Sequence, residues 1–248
     1  MDMMAFSGKA ALVTGGTRGI GAAIVRHLAK GGADVAFTYA NSGDKAATLV
    51  GELKALGRRA VAIQADSGDP DAVRGAVDRA ASELGRLDIL VNNAGIFPSG
   101  PFEKVTLEEL DRTLAIHVRG VFVASQAALA HMQQGGRIIS IGSCFAQRVP
   151  YGGVTLYSMS KSALIGLTKG LAREVGERGI TVNVIDPGST DTDMNPATGP
   201  AVAAELALMS LKHYAQPEDI AATVGHLAGA SGRFITGTSI AVDGGFSA

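Results

Sequence analysis

Tryptophan is absent, cysteine occurs once and only 5% of the 248 residues are aromatic. A single thiol, Cys144, excludes a disulfide framework and suits a reducing compartment. Neither sign of charge dominates: 22 Lys and Arg stand against 23 Asp and Glu, a formal net charge of −1. That balance argues against a broad electrostatic footprint for nucleic acid. No apolar run approaches the ~20 residues needed to span a bilayer. The opening Met1-Asp2-Met3-Met4 lacks the basic and apolar stretches of a secretory leader. His27, His131, His213 and His226 show no metal-ligand spacing, so no metal site is expected. These absences predict a soluble, cytoplasmic protein without nucleic-acid or membrane partners.

What is present is an alternation. The chain is 46% hydrophobic, and short β-rich apolar runs recur from end to end. They fall at Ala10–Thr14, Val35–Tyr39, Ala60–Gln64, Ile89–Asn92, Arg137–Ile141, Thr181–Ile185 and Ser239–Val242. Several are nearly continuous in Val, Ile, Leu and Ala, as strands buried on both faces require. Segments with helical apolar spacing lie between them: Gly19–Lys30, Gly43–Leu56, Pro70–Leu84, Thr106–Gln133, Thr155–Glu177 and Pro217–Ala230. Pro70 and Pro217 sit where a first helical turn tolerates proline. Strands alternating with helices imply right-handed crossovers and a parallel sheet covered on both sides. The expectation is an α/β fold, seven-stranded and doubly wound, in a single domain over residues 1–248. The run from Pro187 to Lys212 breaks the rhythm with prolines, glycines and a short apolar helix. It follows the sixth strand, at the edge where open α/β sheets bind ligands, and residues 188–212 are read as a substrate lid.

The first strand runs into Thr14-Gly15-Gly16-Thr17-Arg18-Gly19-Ile20-Gly21, and a helix follows. Gly15 can take a tight turn, Gly19 admits a pyrophosphate and Gly21 allows close helix–strand packing. The helix start then offers free amides to phosphates, so the loop reads as a dinucleotide site in its required context. Downstream stand Asn92-Asn93-Ala94-Gly95, Ser143, Tyr157-Ser158-Met159-Ser160-Lys161 and Pro187-Gly188. On a helix, residues four apart share a face, which puts Lys161 beside Tyr157. An ammonium there is expected to lower the phenol from ~10 toward operating pH, making Tyr157 an acid/base. Ser143 would polarise a carbonyl by hydrogen bonding.

In order and spacing, Thr-Gly-x-x-x-Gly-x-Gly, Asn-Asn-Ala-Gly, Ser143, Tyr-x-x-x-Lys and Pro-Gly resemble the short-chain dehydrogenase/reductase family over essentially the whole chain. Leu171-Ala172-Arg173-Glu174 to Asp193-Met194 further resembles its 3-oxoacyl-carrier-protein-reductase-like branch. The resemblance implies a Rossmann fold, with Ser143, Tyr157 and Lys161 as catalytic residues and Lys161 also on the nicotinamide ribose. It implies cofactor contacts from Gly15, Thr17, Arg18, Gly19, Ile20, Gly21, Tyr39, Asn41, Ser42, Asn93, Ala94, Gly95, Pro187, Gly188, Thr190 and Thr192. It also implies adenine contacts from Asp66 and Ser67, and a homotetramer through the two long helices, which carry Ala124, Ala127, Ala128, Ala163, Gly166 and Gly170.

Charge favours NADP(H) over NAD(H). The second strand ends Thr38-Tyr39-Ala40-Asn41-Ser42, with no carboxylate until Asp44 to hold a ribose 2′-hydroxyl. Arg18 can pair with a 2′-phosphate. One position departs from the family: Ile116-His117-Val118-Arg119-Gly120 puts His117 where an asparagine usually supports a proton relay. His117 is read as keeping a working relay with altered pH dependence; the alternative is a tolerated substitution whose backbone carbonyl does the work. The segment Phe145–Val154, the loop after Asn93 and the lid offer Phe97, Phe145, Val149, Tyr151, Val154, Met194, Leu208 and Met209, with few charges. That lining suits a mostly apolar ketone or secondary alcohol. The function expected is NADP(H)-dependent carbonyl reduction or alcohol oxidation. A 3-oxoacyl-carrier-protein reductase and a dinucleotide-binding sensor with weak turnover are the alternatives.

Overall fold

The computed structural model describes residues 5–248; the opening Met1-Asp2-Met3-Met4 lies outside them. Seven strands form one parallel sheet: β1 (Ala10–Val13), β2 (Asp34–Tyr39), β3 (Ala60–Gln64), β4 (Ile89–Asn92), β5 (Arg137–Ile141), β6 (Thr181–Pro187) and β7 (Ser239–Val242). Their spatial order is β3-β2-β1-β4-β5-β6-β7, every pair parallel. The order reverses between β1 and β4, so the crevice at their carboxyl ends is where such a sheet takes a ligand.

Alternation along each strand divides the core in two. Ala11, Val13, Val35, Phe37, Ile89, Val91 and Ile139 face α1 (Gly19–Lys30), α2 (Gly43–Ala55) and α8 (Pro217–Ala228). Ala10, Leu12, Ala36, Leu90, Ile138 and Val182 face the opposite layer, α3 (Pro70–Leu84), α5 (Val121–His131) and α6 (Thr155–Val175). Burial on both faces explains why these runs lack polar alternation; each large side chain so buried contributes ~1.5–3 kcal/mol. Local chemistry sets the helix ends. Asp69 accepts from the Asp71 and Ala72 amides at 2.9 and 3.3 Å, Pro70 opens α3, and Gly85 ends it at φ +75°.

The expected helix Thr106–Gln133 is more irregular than its spacing suggested. It comprises α4 (Leu107–Leu114), a π-helical stretch (Ala115–Gly120) and α5. A Cβ on Gly120 would lie 2.3 Å from the Ser67 carbonyl oxygen, so glycine lets the π stretch press against the β3 loop. Leu107–His131 has the length and apolar character of a membrane span, contrary to the expectation that no such run exists. About half of that window is buried, and α5 supplies Val123, Ala124 and Ala128 to the core beneath the sheet. β6 continues past Ile185 to Pro187, and the segment after it carries one short helix, α7 (Val202–Leu208).

Candidate active site

The strand ends converge on a cavity of about 660 Å³ lined by loops following β1 through β6. Its first wall is backbone. Gly15 sits at φ +66° and donates its amide to Thr38 Oγ1 at 3.0 Å, pinning the loop to β2. A Cβ on Gly21 would lie 2.3 Å from the Gly15 carbonyl and 2.5 Å from Asn93 Nδ2, so only glycine lets α1 start this close to the turn. Asn93 Nδ2 donates to the Thr14 and Gly15 carbonyls at 2.9 and 3.0 Å, and Thr14 Oγ1 accepts from the Asn93 and Ala94 amides. Asn93 and Thr14 thus brace the loop from behind. Arg18, exposed at the start of α1, makes no ion pair among the described residues. Thr17, Gly19, Ile20, Tyr39, Asn41, Ser42, Ser67, Gly95, Pro187, Gly188, Thr190 and Thr192 line the same cavity.

Asp66 also lines it, but its carboxylate is engaged elsewhere. Both oxygens accept from Arg112 at 2.9 Å, and Oδ1 accepts from the Gly68 amide. The guanidinium and then the amide hold the carboxyl below its usual range. Arg112 is a cavity residue that no local pattern announced, because it lies 46 positions from its partner.

At the other end Ser143, Tyr157 and Lys161 meet over β5. Ser143 donates its amide to Asp186 Oδ1 at 3.1 Å and accepts from the Phe145 amide at 3.2 Å through Oγ. Asp186, fully buried, also takes Gln147 Nε2 at 3.2 Å and the Ser239 hydroxyl. This buried carboxylate, which sequence reading missed, fixes the turn carrying Ser143. The expected lowering of the Tyr157 phenol beside Lys161 is opposed here by burial. Lys161 directs its ammonium to the Ile141 carbonyl at 2.8 Å, and Nζ lies 5.8 Å from the centroid of the phenol ring. Burial pushes Tyr157 up to about 12, opposed by the Ser143 hydroxyl beside it. Burial likewise pulls Lys161 down to about 8, against the attraction of Asp186. At neutral pH this places a protonated phenol beside an ammonium.

His117 stands behind the cavity rather than on its lining, with 1% of its surface exposed. Nε2 accepts the Ile96 amide at 3.0 Å, so the proton must be on Nδ1, which faces Ser160 Oγ at 2.8 Å. Ser160 Oγ in turn donates to the Tyr157 carbonyl at 2.7 Å. Burial, and then the Lys161 charge, drop the imidazole to about 3. Both ring nitrogens are committed to hydrogen bonds, and burial favours the neutral ring over a second cation beside Lys161. Its geometry braces the Gly95–Ile96 backbone.

The aromatic wall is partly as expected. Phe97, Phe145, Tyr151 and Met194 line the cavity, joined by Phe246 from the far end of the chain. Val154 and Met209 are each 3% exposed and belong to the core instead. Val149 and Leu208 lie off the lining. The wall is also less apolar than expected, because Glu205 of α7 reaches it. Burial raises the Cys144 thiol to about 12, which leaves it inert beside Ser143. Among the described residues no group of three His, Cys, Asp or Glu could hold a metal ion.

Comparison with known proteins agrees with this architecture. Residues 15–247 match a family model described as "Enoyl-(Acyl carrier protein) reductase". The chain is 46% identical over 246 residues to an Escherichia coli K12 protein named "Cyclic-di-GMP-binding biofilm dispersal mediator protein", covering 99% of this chain and all of that one. A short-chain dehydrogenase from Burkholderia cenocepacia J2315, solved with NADP, superposes with a TM-score of 0.97 at 57% identity, over 98% and 99% of the two chains. A blue fluorescent protein from a metagenomic library, solved with NADPH, does so at 0.97 and 59%, over the same shares. A family model matched over residues 15–247 and whole-chain superposition at 57% identity have one explanation: this chain belongs to the short-chain dehydrogenase/reductase family.

Proposed function

We propose that the protein is an NADP(H)-dependent oxidoreductase that interconverts a ketone and a secondary alcohol, with Tyr157 as acid/base. The observation that carries the reading is the convergence of Ser143, Tyr157 and Lys161 on one cavity wall, with the Lys161 ammonium held at 2.8 Å from the Ile141 carbonyl. The glycine loop suits a dinucleotide phosphate, because residues from Thr17 to Gly21, which include the start of α1, line the cavity, where the free amides of a helix start attract an anion. Arg18, without an ion pair among the described residues and lining the same cavity as Tyr39, Asn41 and Ser42, suits a 2′-phosphate, and Ser67 with Asp66 flanks the adenine end. When bound, the nicotinamide supplies a hydride in reduction or accepts one in oxidation. Ser143 and Tyr157 hydrogen-bond the carbonyl oxygen, and Tyr157 gives its proton to the alkoxide as it forms. Lys161 keeps a positive charge beneath the oxygen. Residues 188–212 act as the lid over this centre, and His117 positions the Gly95–Ile96 segment against which it is built.

Three further points follow the same reading. Exposed Ala163, Gly166 and Gly170 share one face of α6, consistent with a homotetramer packed through the long helices, whereas Ala124 and Ala128 are spent inside the chain. The cytoplasm is its proposed compartment. A role in binding rather than turnover is the second reading, favoured by the name of the E. coli relative; a 3-oxoacyl thioester is the alternative substrate. The test is nicotinamide absorbance decay with NADPH and with NADH across aliphatic ketones, aryl ketones and 3-oxoacyl esters, for native protein and Arg18→Ala. Turnover with NADPH is expected, with its advantage over NADH falling at least ~10-fold in the variant, as loss of one charge-assisted bond predicts. Saturable NADPH binding without turnover of any ketone would favour the binding role.

A further inference from the structure

Glu205 is an acidic side chain of the cavity lining that the proposed chemistry does not use and, unlike neighbouring Asp193, which pairs with Lys45 at 3.3 Å, it meets no cation among the described residues. Its Oε2 accepts three hydrogen bonds, from Ser189 Oγ, from Asn195 Nδ2 at 3.1 Å and from Tyr214 Oη at 2.8 Å. Ser189 follows β6, Asn195 sits in the loop before α7, and Tyr214, 6% exposed, lies beyond the lid. The clasp therefore holds α7 in one place over the cavity. Oε1 receives no bond from a described residue, and the half-buried side chain lines the cavity.

The neighbours of that carboxylate define where it acts. Phe145 stands between Tyr157 and Tyr151, with ring centroids 6.2 and 5.6 Å away. Tyr151 feels Glu205: burial raises its phenol, and the carboxylate charge raises it further. The wall leading away from Tyr157 is thus aromatic and ends in a negative charge. Three neutral donors bond that charge, and no cation pairs with it among the described residues. A charge bonded only by neutral donors keeps its field, and in a partly dewatered cleft that field is weakly screened.

We propose that Glu205 is a specificity-determining residue: it selects aromatic carbonyl substrates that carry a cationic or hydrogen-bond-donating group remote from the carbonyl, and rejects those with a carboxylate there. The selection rests on the ketone-reductase reading for its substrate class. It works through Oε1, which accepts from the donor, while Oε2 is held by the clasp. A 3-oxo acid with a free distal carboxylate would meet an uncompensated like charge.

The test uses acetophenones that differ only in the para group: methyl, hydroxymethyl, aminomethyl and carboxylate. The readout is the ratio of kcat/KM for the aminomethyl ketone to that for the carboxylate within each protein, so that a general loss of activity cancels. Native protein should give a ratio of at least ~10, shrinking between 0.05 and 1 M salt. Glu205→Gln keeps the shape and removes the charge, and should bring the ratio to within about threefold of unity. Tyr214→Phe keeps the charge and removes one of the three donors, and should retain the native ratio. A native ratio insensitive to salt, a ratio unmoved in Glu205→Gln, or one erased equally in Tyr214→Phe would overturn the proposal. Calorimetric binding of the same four ketones separates the two readings: charge-ordered affinities without turnover would remove the reductase and leave the selection by Glu205 standing.

Discussion

The two halves of the crevice are built by different means. The half along β1 and β2 is walled by backbone: Gly15, Gly19 and Gly21 shape it, and Thr14, Thr38 and Asn93 hold it from behind. The half beside α7 is walled by side chains drawn from four distant places: Phe97 after β4, Phe145 and Tyr151 after β5, Glu205 on α7 and Phe246 near the end of the chain. A backbone-built site cradles a group common to many ligands, a phosphate, and tolerates little change. A side-chain-built site is where one relative can differ from another while the chemistry between them stays the same.

Substitutions that cross this boundary are the sharpest way to break the comparison. Tyr157→Phe lies at the junction and should give the largest effect, a loss of at least ~100-fold in kcat with NADPH affinity kept; a near-native rate in steady-state assay would remove the acid/base role. Gly21→Val acts on the backbone half alone. Its Cβ would sit 2.3 Å from the Gly15 carbonyl, so overpacking should cost ~1–3 kcal/mol of stability and at least ~10-fold in NADPH affinity. Fluorescence titration and urea unfolding check both, and native values would show that the loop can give way.

The smallest effect concerns His117, which joins the two halves from behind. Its imidazole falls to about 3 in the folded protein from an ordinary 6.5, so between these values the unfolded chain binds the extra proton. Stability from this group is therefore full above pH 6.5 and is lost as pH falls below it, by about 1.4 kcal/mol at pH 5.5. His117→Asn should flatten that part of the stability–pH profile in urea unfolding. A variant profile parallel to the native one would mean that another group titrates there.

The legibility of the site divides along the same line. Thr14 to Gly21 could be read directly, because the turn, the close approach and the helix start are consecutive in the chain. Tyr157 and Lys161 were legible because one helical turn joins them. Asp186 under Ser143, Arg112 on Asp66 and Glu205 among Ser189, Asn195 and Tyr214 were not, since each partnership closes a loop through space. The environment of the phenol was hidden for the same reason. Spacing placed the ammonium beside it, but burial raises Tyr157 while Lys161 bonds the Ile141 carbonyl.

By itself the sequence determined the alternation of strands and helices, the two-faced burial of the sheet and the position of the dinucleotide loop. Each depends on periodicity or on consecutive residues, and such interactions need no distant partner. Tertiary structure alone decided that His117 is buried and braced, that Val154 and Met209 belong to the core, and that a carboxylate lines the cavity with the aromatic wall. Desolvation and hydrogen-bond partnership are properties of a place rather than of a residue, and the place exists only once the sheet has brought its carboxyl ends together.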